Sequence, residues 1–318
     1  MPSYVITGGE VLEIAGGAPG WIPGLIEETV GGTPRTSPPA PPTVRLRIED
    51  STEPFSRAGM SVLTRGAHGD GSRVLLADAC SSGFDLLAEA EDDVLTVRAR
   101  YRPAPKTRAA NTVLRSRFRL LAGQTLVHYP VLWRAGWRGR APLHVSVVGT
   151  AGRTVMLAGP GGVGKSSLVR KAIALGARAT ADNLCVADAT TCYGIAEPMR
   201  TDAHGAGGPA TSHGRVAQPF ADRMERLDPD RLVVLARGPK TEIAELGPAE
   251  AARVLTAGTY AGGELRRYWA FCATLALGTG RGPAHPPIAE LAEGYAAALP
   301  RFLVTIADGE SVGIEELP

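Results

Sequence analysis

Residues 159–166 read Gly-Pro-Gly-Gly-Val-Gly-Lys-Ser, a complete G-x-x-x-x-G-K-[ST] phosphate-binding loop. No other stretch restricts the fold as strongly, because such a loop works only between a strand and a helix. Gly159, Gly161, Gly162 and Gly164 remove the Cβ atoms that would keep backbone N–H groups from converging on phosphate oxygens. Val163 contributes its own N–H to that cradle. Lys165 supplies a point charge for the β- and γ-phosphates, the Ser166 hydroxyl is a Mg²⁺ ligand, and Ser167 continues the first helical turn at the anion.

The flanking residues agree with the motif. Residues 153–158 read as a buried strand entering the loop, and residues 167–175 as the helix leaving it. In that helix Leu168, Ala172 and Leu175 share one face, Arg170 and Lys171 suit the C-terminal dipole, and Gly176 marks the stop.

The rest of the composition narrows the class. A chain of 318 residues, 44% hydrophobic and 21% charged, predicts a globular protein of two domains. A net charge of +2 gives no argument for a nucleic-acid partner, and none is expected. Cys80, Cys185, Cys192 and Cys272 form no C-x-x-C pair, which predicts free thiols in a reducing cytoplasm. His204 and His213 share a loop but lack further ligands at metal spacing, so no structural zinc is expected. The N-terminus lacks signal-peptide character and no apolar run approaches ~20 residues, so no membrane association is expected.

Residues 1–140 read as a strand-rich α+β domain ending in a helix. Residues 4–14 hold one strand or a pair broken by Gly8-Gly9, and the Pro-rich stretch 31–42 is an extended connector. Residues 43–49, 73–79 and 94–101 alternate as strands of a small, mostly antiparallel sheet whose arginine-bearing faces are read as solvated. A helical period begins at Asn111, read as an N-cap, with Leu114, Phe118 and Leu121 on one face. Gly123 is read as its stop, and Pro130 excludes an unbroken helix through it. Trp133 and Trp137 are expected at the join to the second domain.

Residues 141–318 form the nucleotide domain. A hairpin is predicted over 143–159, with Leu143, Val145 and Val147 alternating with His144 and Ser146. Residues 178–187 read as a strand carrying Asp182 and Asn183, and a carboxylate beside a phosphate loop suits Mg²⁺ binding or proton acceptance. Residues 193–220 read as either a lid or a disordered loop, with Arg200 and Arg215 within reach of a phosphate or an acidic substrate. Residues 231–236 read as a central strand, 248–256, 264–277 and 288–299 as helices, and 301–307 as a closing strand. An α/β core with layers on both faces of its sheet follows.

Leu143 to Ser146, the phosphate loop and Ala181-Asp182-Asn183 resemble, in order and spacing, the HPr kinase/phosphorylase-like kinases, over roughly residues 141–190. Here 21 residues separate His144 from Lys165 and 17 separate Lys165 from Asp182. The resemblance implies a P-loop kinase core of the phosphoenolpyruvate carboxykinase-like fold, like the relatives that accompany gene clusters for modified, lasso-type peptides. It implies ATP and Mg²⁺, with Lys165 and the loop backbone on the phosphates and Asp182 as the base, tuned by His144. The acceptor is then a Ser or Thr hydroxyl on a peptide or small protein, with other peptide-modifying enzymes as partners and a homo-oligomer left open. Where the family usually carries a second acid, this chain has Asn183. The metal is therefore assigned to Ser166, Asn183 and Glu197. The substitution also motivates an alternative, a nucleotide-binding accessory protein that presents a peptide without phosphoryl transfer.

Overall fold

Val44, Leu46 and Ile48 are buried along the strand Val44–Glu49, while Arg45, Arg47 and Glu49 stay half-buried on its other face. That alternation is the building rule of the first half of the chain. The computed structural model describes residues 1–17, 20–202, 215–220 and 223–318. It is a mixed α/β protein in which an eight-stranded and a six-stranded sheet carry most of the strands.

The eight-stranded sheet runs, in spatial order, Ser3–Thr7, Glu10–Ala15, Val44–Glu49, Val94–Tyr101, Phe84–Glu91, Arg73–Leu76, Ala67–Gly69 and Ser61–Thr64. Gly8 and Gly9, both at positive φ, split the first stretch into an antiparallel hairpin. The sheet is larger than alternation suggested, and two of its junctions are parallel: Glu10–Ala15 with Val44–Glu49, and Val44–Glu49 with Val94–Tyr101. A parallel pair needs a crossover. For the first pair it is supplied by the helix Ile22–Val30, which buries Ile22, Leu25 and Ile26 and is too short to announce itself by period.

The helical stretch before residue 140 differs from expectation for identifiable reasons. Asn111 lies inside the helix Pro105–Val113 rather than capping it, and its Nδ2 donates to the Ser82 carbonyl at 3.3 Å. Gly123 is not a stop. A Cβ there would lie 2.5 Å from Thr29 Oγ1, so the glycine lets the helix Arg115–Gly123 cross Ile22–Val30 closely. The chain stays helical through Pro130 because Gln124–His128 widens into a π turn, in which the Tyr129 N–H bonds the Gln124 carbonyl. That register accommodates the missing proline donor, and the helix Tyr129–Gly136 continues. Trp133 is fully buried and meets Trp137 edge-on at 5.1 Å between centroids.

In the six-stranded sheet the order is Arg178–Ala179, Ser146–Gly149, Thr154–Ala158, Arg231–Gly238, Arg301–Ala307, Glu242–Glu245. Thr154–Ala158, Arg231–Gly238 and Arg301–Ala307 are parallel. Val155, Leu157, Val233 and Leu235 pack with Leu168, Val169 and Ala172 of the helix Lys165–Ala174. Met156, Ala158, Leu232 and Val234 pack with the helices Pro248–Ala261 and Ile288–Ala298. Both faces are thus covered. Leu175 departs from the expected apolar face, being 71% exposed just before Gly176 (φ 88°) ends the turn.

Two predicted strands break where the chain changes sheet. Ala141–Leu143 and Cys185–Ala187 pair in a separate four-stranded sheet with Cys192–Gly194 and Arg226–Leu227, whereas Ser146–Gly149 and Arg178–Ala179 stay in the six-stranded one. His144 and Asp182 lie in the two crossings. The helix Tyr268–Thr279 comes from the second half of the sequence, yet Tyr268, Phe271, Cys272 and Leu275 pack in the core beneath the eight-stranded sheet. Among the described residues no helix is long and apolar enough to cross a membrane, and all four cysteines are free thiols.

Candidate functional site: a phosphate loop beside a buried charge cluster

The strand Thr154–Ala158 leads into the loop 159–164, and the helix starts at Lys165. Gly159, Gly162 and Gly164 have φ of 135°, 81° and 118°, backbone conformations that side chains resist. A Cβ on Gly159 would also lie 2.5 Å from the Leu235 carbonyl oxygen, so this glycine allows the loop to press onto the neighbouring parallel strand. Val163 is buried and anchors the loop in the core, while Gly161 and Gly162 are exposed at its rim. Ser166 and Ser167 stand half-buried in the first helical turn.

Lys165 is buried, and its Nζ donates to the carbonyls of Gly159 at 2.6 Å and Pro160 at 3.2 Å. Burial pulls its pKa down to about 8, against the opposing pull of Glu264 and Asp182. The ammonium is therefore held by the loop it would serve, with two carboxylates close enough to act on it.

Asp182 is buried in the sheet crossing and accepts from the Arg200 backbone N–H at 3.3 Å. Ser146 Oγ bonds the Asp182 carbonyl, which pins the bend between the two sheets. Arg200, from the strand Met199–Asp202, places its guanidinium between two acids. One nitrogen pairs with Glu264, and Nη2 meets Glu197 Oε2 at 3.2 Å. Desolvation opposes the charge on Arg200, but Glu197 and Glu264 outweigh it and push its pKa up.

The two acids diverge in consequence. Burial pushes Glu197 up to about 7, with Asp182 and Glu264 adding to the rise against the pull of Arg200. Burial also disfavours the Glu264 anion, but the charge and hydrogen bond of Arg200 prevail and bring it down to about 2. His144 is buried, its backbone N–H bonds Thr259 Oγ1 at 3.1 Å, and its ring packs near Gly262. Burial, followed by the Lys165 charge, lowers its pKa to about 4, so the ring is neutral at pH 7.

Lys165, named from the loop motif, and Asp182 and His144, given their roles by the resemblance, thus belong to one electrostatic unit. Of the expected metal ligands, Glu197 faces Arg200, and Asn183 turns its Nδ2 to Glu264 Oε1 at 3.4 Å. Ser166 remains in the helix start, and among the described residues no group of three or more His, Cys, Asp and Glu side chains could hold a metal ion. Arg200 and Glu197 stand in the cluster, but Glu264 escaped sequence reasoning. It lies in the short 3₁₀ turn Gly263–Leu265, about 100 residues from the loop motif, and only the turn's anchoring by Gln124 and Tyr129 to the Glu264 carbonyl brings it in. The stem Met199–Asp202 pairs with Arg215–Gln218. Of the stretch 193–220 read as a lid or a disordered loop, the parts 193–202 and 215–220 are described and hold paired strands, whereas 203–214, with His204, His213 and the Arg215 side chain, lies outside the described residues.

No protein-family model matches this chain, and comparison with curated proteins gives no match.

Proposed function

We propose that this protein is an ATP-dependent kinase that phosphorylates a Ser or Thr hydroxyl of a peptide or small protein. The observation that carries this reading is a phosphate loop set near a buried carboxylate: Lys165 and its loop follow the strand Thr154–Ala158, and Asp182 lies buried just past Arg178–Ala179, two places along the same sheet. The chemistry of the loop suits a nucleoside triphosphate. Its positive-φ glycines keep side chains out of the turn, although the Val163 N–H donates to the Pro160 carbonyl at 3.4 Å, and the Lys165 ammonium lies at the same loop.

In this reading the loop amides and Lys165 hold the β- and γ-phosphates, and Lys165 offsets charge on the group in flight. Asp182 orients the acceptor hydroxyl and takes its proton as the new O–P bond forms and the bond to the departing diphosphate breaks. Burial keeps the neighbouring His144 ring neutral at pH 7, so it adds no second positive charge beside Lys165. Ser166 would hold Mg²⁺, which supplies neutralisation of the phosphate oxygens. To test this, labelled ATP and a panel of Ser- and Thr-containing peptides are compared with wild type and Asp182→Asn. Transfer should fall about 10²- to 10⁴-fold in the variant, and equal transfer by both would remove Asp182 from the role.

A second reading, an accessory protein that binds nucleotide and peptide without transfer, is favoured by one observation. Asn183 and Glu197 direct their side chains to Glu264 and Arg200. Calorimetry with a precursor peptide discriminates: tight peptide binding with no ATP turnover supports it.

A further inference from the structure

The helices Pro105–Val113 and Arg115–Gly123 carry Lys106, Arg108, Arg115, Arg117 and Arg119 and no acidic residue. All five side chains are exposed, and among the described residues only Arg119 has an ion-pair partner, Glu28 at 3.3 Å. The placement works against helix stability. Lys106 and Arg115 stand in first turns that contain no acid, and neither helix has a side-chain N-cap, so these cations face the positive dipole ends. Pro105–Val113 buries only Asn111, so packing contributes little to offset this cost. Apolar surface lies in the same place: Val113 is 80% and Leu114 48% exposed, and Trp21, 40% exposed, rests against Phe118 at 5.7 Å between centroids.

The patch also has a direction. From Arg115 the chain runs helically to Gln124, whose amide holds the Glu264 carbonyl, and Glu264 pairs with Arg200 in the charge cluster. At the α-helical rise, Arg119 and Arg115 stand about 8 and 14 Å from Gln124 along the axis. An extended peptide crosses those distances in about two to four residues.

We propose that this basic surface docks an acidic segment of the peptide acceptor, with apolar residues of the same segment resting on Val113, Leu114 and Trp21. The acceptor's identity as a kinase substrate rests on the function proposed above, whereas the docking does not. Charge complementarity favours a flexible acidic chain, because the cations are spread over two helices and interleaved with apolar side chains rather than gathered in one groove.

The test uses the full chain without nucleotide and a fluorescein-labelled 12-residue peptide containing six glutamates and two leucines, read by anisotropy. Saturable binding is expected. It should weaken about tenfold or more when the glutamates become glutamines, and equally in the variant Lys106→Gln/Arg108→Gln/Arg115→Gln/Arg117→Gln. The single variant Arg117→Glu, checked by circular dichroism for native fold, should weaken it by a smaller factor. Equal binding by wild type and the fourfold variant overturns the proposal. So does stronger, variant-sensitive binding to phosphatidylserine vesicles or to a single-stranded oligonucleotide, which would assign the surface to a lipid or nucleic-acid partner. If no peptide is phosphorylated but the acidic probe binds as described, the kinase reading fails and the docking surface stands. Where transfer occurs, the fourfold variant should raise KM for an acidic substrate and leave kcat unchanged.

Discussion

Two arginine–carboxylate groups in this protein are mirror images in composition. On the outer face of the eight-stranded sheet, one acid, Glu49, lies between Arg98 and Arg100, with Arg100 also over the Phe55 ring. In the candidate site one arginine, Arg200, lies between Glu197 and Glu264. Burial disfavours the Glu49 anion, but its two arginines prevail and hold its pKa below the usual carboxylate range. In the site there is too little positive charge for both acids. One is driven down to about 2 and the other up to about 7. The same side chains therefore give a settled ion pair near water and a divided, titratable pair in the interior. Solvent access and the count of charges make the difference.

The largest expected effect comes from breaking the buried group. Arg200→Met removes the cation shared by Glu197 and Glu264 and should cost about 3–5 kcal/mol in urea unfolding. Replacing all three by Glu197→Gln, Arg200→Met and Glu264→Gln together should recover a large part of that loss. If the single change costs less than about 1 kcal/mol, the cluster is wetter than described.

A smaller effect reads the divided titration. Between pH ~4.5 and ~7, folded Glu197 keeps a proton that the unfolded chain has released, so its contribution to stability declines as pH rises. Glu264 acts oppositely, losing stability as pH falls from ~4.5 towards 2. The buried histidines His128 and His144 are common to wild type and Glu197→Gln and cancel in the comparison. Between pH 5 and 7, wild type should therefore lose about 2 kcal/mol relative to Glu197→Gln, measured by paired urea melts. Parallel pH profiles would place Glu197 with ordinary carboxylates.

The smallest effect belongs to the outer face. Glu49→Gln should change stability by about 1 kcal/mol or less, and the difference should shrink in high salt. A cost matching that of Arg200→Met would erase the distinction between the two groups.

Alternation made Val44–Glu49 and Val94–Tyr101 legible, and the loop motif located the strand Thr154–Ala158 and the helix Lys165–Ala174. The breaks at His144 and Asp182 were hidden, because a strand that passes from one sheet to another keeps an apolar pattern in both. Gly123 was misread for a related reason: the same missing Cβ serves a helix end or a close helix crossing, and only Thr29 shows which.

By itself the sequence determined what local geometry and covalent chemistry dictate: which glycines permit positive φ around the loop, which lysine follows them, and which faces of the strands are apolar. Only the tertiary structure decided how Glu197, Arg200 and Glu264 divide their charge. A pKa depends on the surrounding dielectric and on neighbours brought from distant positions, and linear spacing records neither.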